Sequence, residues 1–166
     1  MKMKAFVEVG LNIIGNEVDP VICTKLLGVL PDKKWKKGDV WDVREDEVCT
    51  HGSGLWMYNA ERHVKKIDPY DPLPLVRHII RVFSGKKAQF DQIRESMGEG
   101  QKPNKKFKYP EELRYVTIVL SIHWGVPHGS YIMDKQLLDT ILEMGIDEIR
   151  YIFASVDYEE SSSEFK

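Results

Sequence analysis

Five histidines and two cysteines are the side chains in this 166-residue chain best suited to holding a metal or moving a proton near neutral pH. His123 and His128 stand five apart in HWGVPH with Gly125 and Pro127 between them. That spacing puts them at a strand end and its turn, not on one helical face. Cys49 and His51 add two more possible ligands. Neither fragment has an established zinc spacing, and uniting them requires a tertiary contact that the sequence does not supply. No catalytic residue, cofactor or metal is therefore assigned. A small-ligand or metal-dependent protein or enzyme using His123 and His128, joined by Cys49 and His51, stands as the alternative reading. His63 and His78 read as surface residues of a loop and a helix.

Two clusters mix cations with aromatic rings, the combination that grips phosphates and stacks bases. One is Lys33, Lys34, Trp35, Lys36 and Lys37; the other runs from Lys102 to Tyr109 with Lys105, Lys106, Phe107 and Lys108. Asp32, Asp39 and Asp42 weaken the positive potential of the first, so nucleic-acid binding is a further alternative only. The acids Asp42, Glu45, Asp46 and Glu47 read as a charged loop in preference to a cation site. No phosphate loop, dinucleotide fingerprint or nucleophile elbow is present. Trp56, within an alternating strand, is expected in the core. Trp35 and Trp41, in a stretch dense with acids and bases, suit either the core or a partner surface.

The elements that must position these residues follow from hydrophobic period and punctuation. Ala5, Val7, Val9, Leu11 and Ile13 alternate as in a strand. Asp19-Pro20 then supplies an N-cap and an N1 proline, with Ile22, Leu26 and Leu27 on the apolar face of a short helix and Gly28 closing it. From Pro31 to His51 a long excursion is expected, with one or two short edge strands. Leu55 to Ala60 reads as a strand entered through Gly52-Ser53-Gly54. Asp71 and Pro72 open a helix with a stripe of Leu75, Val76, Ile79, Ile80 and Phe83, ended by Gly85, and a second helix spans Lys86 to Met97. Gly98 to Pro110 reads as a mobile loop. The longest strand places Val116, Ile118, Leu120 and Ile122 on one face and Tyr115, Thr117, Val119 and Ser121 on the other. Both faces look covered, which argues for a central strand. Asp134 caps a helix carrying Leu137, Leu138, Ile141 and Leu142, Gly145 closes it, and Ile146 to Ala154 forms the last strand.

Strand, turn, capped helix and stopping glycine thus occur twice, from Ala5 to Gly28 and from Leu113 to Gly145. The expected fold is α+β: a mainly antiparallel sheet with helices packed on it, in two loosely similar strand–helix halves, ferredoxin-like in the loose sense. A single domain over 1–156 with a flexible acidic tail over 157–166 is expected, since a chain of this length buries enough surface for one core. The 24 basic and 26 acidic side chains leave a net charge of -2, so no global field steers the molecule to nucleic acid. Two cysteines are too few for a disulfide scaffold, which favours a reducing cytoplasm. Cys23 is expected in the core and Cys49 in a loop. Glu8 and Asn12 interrupt the opening apolar stretch, which argues against a signal peptide, and no run approaches the length of a membrane helix.

The opening strand followed by GNEVDPVICTKLLGV, the pair Lys37-Gly38, the strand GLWMYNA and the late LLDTILEMGIDEIRYIF resemble a small bacterial family, the domain of unknown function numbered 4279. The resemblance implies one α+β domain of bacterial type and carries no catalytic residues to transfer. By analogy with small, mildly acidic bacterial proteins that lack a catalytic constellation, the expected role is a cytoplasmic immunity protein that neutralises a toxin domain. Its expected protein-binding residues are Trp35, Lys37, Asp39, Trp41 and Asp42, with no membrane partner.

Overall fold

The computed structural model describes residues 5–44, 47–97, 116–125 and 133–153. In chain order the elements are β1 (Phe6–Gly15), α1 (Pro20–Leu27), β2 (Lys33–Trp35), β3 (Val40–Arg44), β4 (Glu47–Thr50), β5 (Gly54–Asn59), α2 (Leu73–Phe83), α3 (Lys87–Met97), β6 (Thr117–Gly125), α4 (Lys135–Glu143) and β7 (Glu148–Phe153). A 3-10 turn over Ala60–Arg62 follows β5. Five strands form one sheet in the order β2-β5-β1-β6-β7, while β3 and β4 pair only with each other. All neighbours in the large sheet are antiparallel except β6 and β7, which run parallel with α4 between them. The α+β expectation holds, and the sheet is mainly antiparallel as expected.

The core lies on one face of this sheet. Val7, Val9, Leu11 and Ile13 of β1 stand opposite Trp124, Ile122, Leu120 and Ile118 of β6, and Leu11 and Ile13 stand opposite Tyr58 and Trp56 of β5. Strand side chains alternate faces, so these residues share one surface. They form one buried cluster with Cys23 and Leu27 of α1, Leu75, Val76, Ile79 and Phe83 of α2, Phe90 and Ile93 of α3, and Ile141 of α4. All four helices therefore contribute to the same layer. Burying a large apolar side chain contributes about 1.5–3 kcal/mol, which makes this layer the main source of stability. The opposite face carries a polar row in which Asn12 Nδ2 donates to Ser121 Oγ at 2.8 Å and Ser121 Oγ to the Gly10 carbonyl at 3.3 Å.

The helix starts follow their caps. Asp19 Oδ1 accepts from Val21 N at 2.9 Å, and Gly28, with φ of 65°, closes α1 in the left-handed region where a Cβ would be strained. Asp134 likewise accepts from Leu137 N. Asp71 Oδ1 accepts from Leu73 N, and Pro72 already has helical backbone, so the expected Asp-Pro start operates one residue ahead of the α2 boundary. Gly54 is placed by close approach: a Cβ there would lie 2.4 Å from the Val18 carbonyl oxygen.

Several expectations are corrected. The apolar face of α1 is Pro20, Cys23 and Leu27, an i, i+3, i+7 stripe that leaves Ile22 exposed and Leu26 half-buried. In α4 only Ile141 is buried, and Leu142 points to water. The excursion from Pro31 to His51 contains three strands, and Cys49 belongs to β4, not to a loop. The last strand starts at Glu148, two residues later than expected. The start of the second repeated unit at Leu113, the side chain of Tyr115, the loop of 98–110, Glu45, Asp46, His128, Ala154 and the tail of 157–166 lie outside the described residues.

Candidate functional site

The candidate surface begins where β2 ends. Lys33 to Trp35 adds three residues to the edge of β5, and Lys36 to Asp39 then turns the chain away from the sheet. Asp39 builds that turn: its Oδ2 accepts from Lys36 N at 2.7 Å, and its N–H donates to the Lys36 carbonyl. Lys36 Nζ reaches Asp19 at 2.6 Å, tying the turn to the cap of α1. That ion pair and the Val21 amide hold the Asp19 carboxyl below its ordinary range. Asp39 and Lys36 are thereby committed to shape.

Beyond the turn, β3 and β4 form a two-stranded ribbon. Val40 pairs with Thr50, Asp42 with Cys49, Val43 with Val48 and Arg44 with Glu47. The register shifts between Val40 and Asp42, so Trp41 is the extra residue of a bulge. The extra residue has a geometric consequence. Without it, Val40 and Val43 would face opposite ways; with it, Val40, Val43, Val48 and Thr50 share one face. Val40, Trp41, Val43 and Val48 are each between 55% and 64% exposed. Asp42 stands on the other face, and its Oδ1 accepts from Val43 N at 2.9 Å.

Trp35 and Trp41 meet across His51. The Trp35 and His51 rings stack at 4.1 Å with planes 10° apart, and Trp41 lies 6.4 Å from His51 at a tilt of 42°. Two backbone bonds hold His51 in place, Gly38 N to its carbonyl at 2.8 Å and its own N–H to the Asp39 carbonyl at 2.9 Å. Of the five sequence-predicted binding residues, Trp35 is half-buried in this stack and Trp41 is exposed beside it. Asp39 closes the turn, Lys37 is exposed within it, and Asp42 lies on the ribbon. All five therefore occupy one continuous stretch at the β2 end of the sheet.

Of the residues of the metal alternative, His128 lies outside the described residues, and His123 stands apart from Cys49 and His51. His123 lies on β6 opposite Glu8 of β1, on the polar face of the large sheet, while Cys49 and His51 belong to the ribbon and its exit. Among the described residues, no group of three or more His, Cys, Asp or Glu side chains is arranged to hold a metal ion. Cys23 is fully buried, and desolvation pushes its thiol up to about 12.

A second cluster was missed by the sequence reading. Tyr58, His63 and His78 lie nearly parallel, with Tyr58 and His63 centroids 4.4 Å apart and the two imidazoles 6.2 Å apart. Asp32 Oδ2 lies 3.0 Å from His63 Nε2 and accepts the Asn59 amide at 2.8 Å; the Tyr58 hydroxyl lies 2.9 Å from His78 Nε2. Burial first, then His63 and Arg81, lower the His78 pKa and favour the neutral ring, whose tautomer sets which partner donates in the bond to Tyr58. Both Nε2 atoms are engaged in bonds that pin the approach to β2 against β5 and α2. Positions 32, 58, 63 and 78 carry no shared period, so only the fold could unite them.

The family model for a domain of unknown function (DUF4279) matches residues 4–99, more than half the chain and the whole candidate surface. No curated protein and no solved structure matches the chain. The matched segment runs from β1 through α3 and includes the bulged ribbon, and the chain belongs to the DUF4279 family.

Proposed function

We propose that this chain is a protein-binding module without chemistry of its own, and that it docks its partner on the β3–β4 ribbon and the adjoining Trp35–His51–Trp41 stack. The observation that carries this reading is the bulge at Trp41, which lines up Val40, Val43 and Val48 in water next to an indole. Apolar side chains held in a row outside the core are costly in isolation and become favourable when a partner covers them. Lys33 and Lys34, exposed on β2, border this surface, so the fitting partner is a protein with an apolar contact rimmed by carboxylates. In its narrowest form, the partner is a bacterial toxin domain and the chain its cytoplasmic immunity protein.

The test is a tagged pull-down from the native cell, followed by titration of the recovered partner against variants. Val43→Asp places a carboxylate in the apolar row and should weaken binding at least about tenfold; Trp41→Ala should cost about 1–2 kcal/mol. Unchanged affinity in both removes the ribbon from the interface. A toxin encoded beside the gene and inactivated by stoichiometric chain would support the narrowest form. Binding that goes instead to oligonucleotides and falls steeply with salt would replace it by the nucleic-acid reading. Against that alternative, one face of Trp35 is already occupied by His51.

A further inference from the structure

Among the described residues, β7 is the outer strand at the end of the large sheet opposite β2. Asp147 N donates to the Ile118 carbonyl at 2.9 Å, so the amide just before β7 points to β6. Amides alternate sides along a strand; those of Ile149, Tyr151 and Phe153 therefore also turn to β6, and those of Glu148, Arg150 and Ile152 turn outward. An outer strand is a template for another strand unless charged side chains (lysine above all), proline, a bulge, a covering segment or short length blunts it. The sequence EIRYIF runs six residues with no lysine, proline or bulge, and its two charges, Glu148 and Arg150, bond to each other. Ile152 and Phe153 are exposed, Phe153 to 68%, and so is Leu142 on the helix that leads into β7.

Charge selects the occupant. Glu148 and Arg150 lie two apart on one face, where Arg150 Nε and Nη2 reach the Glu148 carboxylate at 2.8 and 3.0 Å. Two copies of the strand laid antiparallel around a two-fold axis at Ile149 set each Glu148 opposite Arg150 of the other copy. Both residues have outward amides, so the same register forms hydrogen-bonded pairs at these positions. Moving the axis to Arg150 would set two arginines face to face, which is destabilising. The strand is thus complementary to itself with the axis at Ile149. We infer that this chain forms a two-fold dimer by antiparallel pairing of β7 with β7 of a second copy, with Ile149 on the axis. The two five-stranded sheets become one continuous sheet.

Sedimentation velocity on the full chain at tens-of-micromolar concentration tests this. The wild type should sediment at twice the chain mass. Arg150→Glu, which faces each glutamate with another, should weaken the dimer at least about tenfold, as should Glu148→Arg; combining the two should restore it. Ile152→Pro removes an outward N–H and no bond to β6, so it should give a monomer whose urea midpoint matches that of Arg150→Glu. A monomeric wild type overturns the inference. So does a dimer that survives both Arg150→Glu and Ile152→Pro, or a charge swap that fails to recover association.

Discussion

The two ends of the large sheet solve the same problem in opposite ways. At one end β2 has three residues and carries Lys33 and Lys34, and the chain leaves at once for a separate ribbon. At the other end β7 has six residues, no lysine and no proline, and its C-terminal side chains are exposed. Short length and lysine protect the first end against strand pairing, and the second lacks that protection. The difference teaches that apolar surface is displayed in two forms. Near β2 it is lifted off the sheet onto the bulged ribbon as a row of exposed side chains; on β7 it remains on the sheet, beside the outer row of backbone amides.

The largest effect should separate the supporting core from these outer surfaces. Trp56, on the core face beside β2, is fully buried, packs edge-on against Phe83 and donates from Nε1 to Thr24 Oγ1 at 3.1 Å. Trp56→Ala should cost about 3–5 kcal/mol in urea unfolding. Leu142→Ala, at the β7 end, should stay within about 0.5 kcal/mol. Equal losses would mean that the β7 end is as structural as the β2 end, and the contrast would fail.

A smaller effect sharpens the β2 side. Asp19 both caps α1 and anchors Lys36 of the turn that launches the ribbon. Asp19→Ala should cost about 1 kcal/mol, most of it from the cap, because the ion pair is solvent-exposed. The folded carboxyl is held below its ordinary value, so its stabilisation is fully present above the unfolded pKa and is lost as pH falls through the folded one. The difference between wild type and Asp19→Ala should therefore shrink on acidification below the ordinary aspartate range. A gap that stays constant would assign the loss to something other than the carboxylate.

The smallest perturbation compares two thiols near the same end. Cys23 is buried on the inner face of α1 with its thiol pushed up to about 12, whereas Cys49 is half-exposed on the ribbon. The thiolate is the reactive form, so a maleimide near pH 8 should label Cys49 in the folded protein and reach Cys23 only on unfolding. Fast labelling of Cys23 would show that α1 opens readily and that the ribbon rests on a loose base.

Legibility in the sequence followed burial. Strands β1 and β6 were readable because both are interior strands whose alternating positions meet the helices, and the caps of α1 and α4 because Asp19 and Asp134 act within three residues of their targets. The ribbon was not readable as strands. Its valines are exposed and its other face, with Asp42 and Cys49, is only half-buried, so no buried apolar row marks it, and the bulge at Trp41 breaks the two-residue period. The halves beginning at β1 and β6 diverge after their helices: α4 returns to β7 beside β6, whereas α1 leads to β2, with β5 between it and β1. Such pairing is fixed by contacts distant in sequence, and so is the cluster of Tyr58, His63, His78 and Asp32. Trp35 and Trp41 were selected by residue type alone; their meeting across His51 needed the turn built by Asp39.

Amide hydrogen exchange at two protein concentrations tests the contrast between the sheet ends most directly. Raising the concentration should slow exchange at Glu148, Arg150 and Ile152 and leave Lys33 to Trp35 unchanged, because β7 lacks the short length and the lysines that blunt β2. Slowing at β2 instead, or at neither edge, would contradict the account.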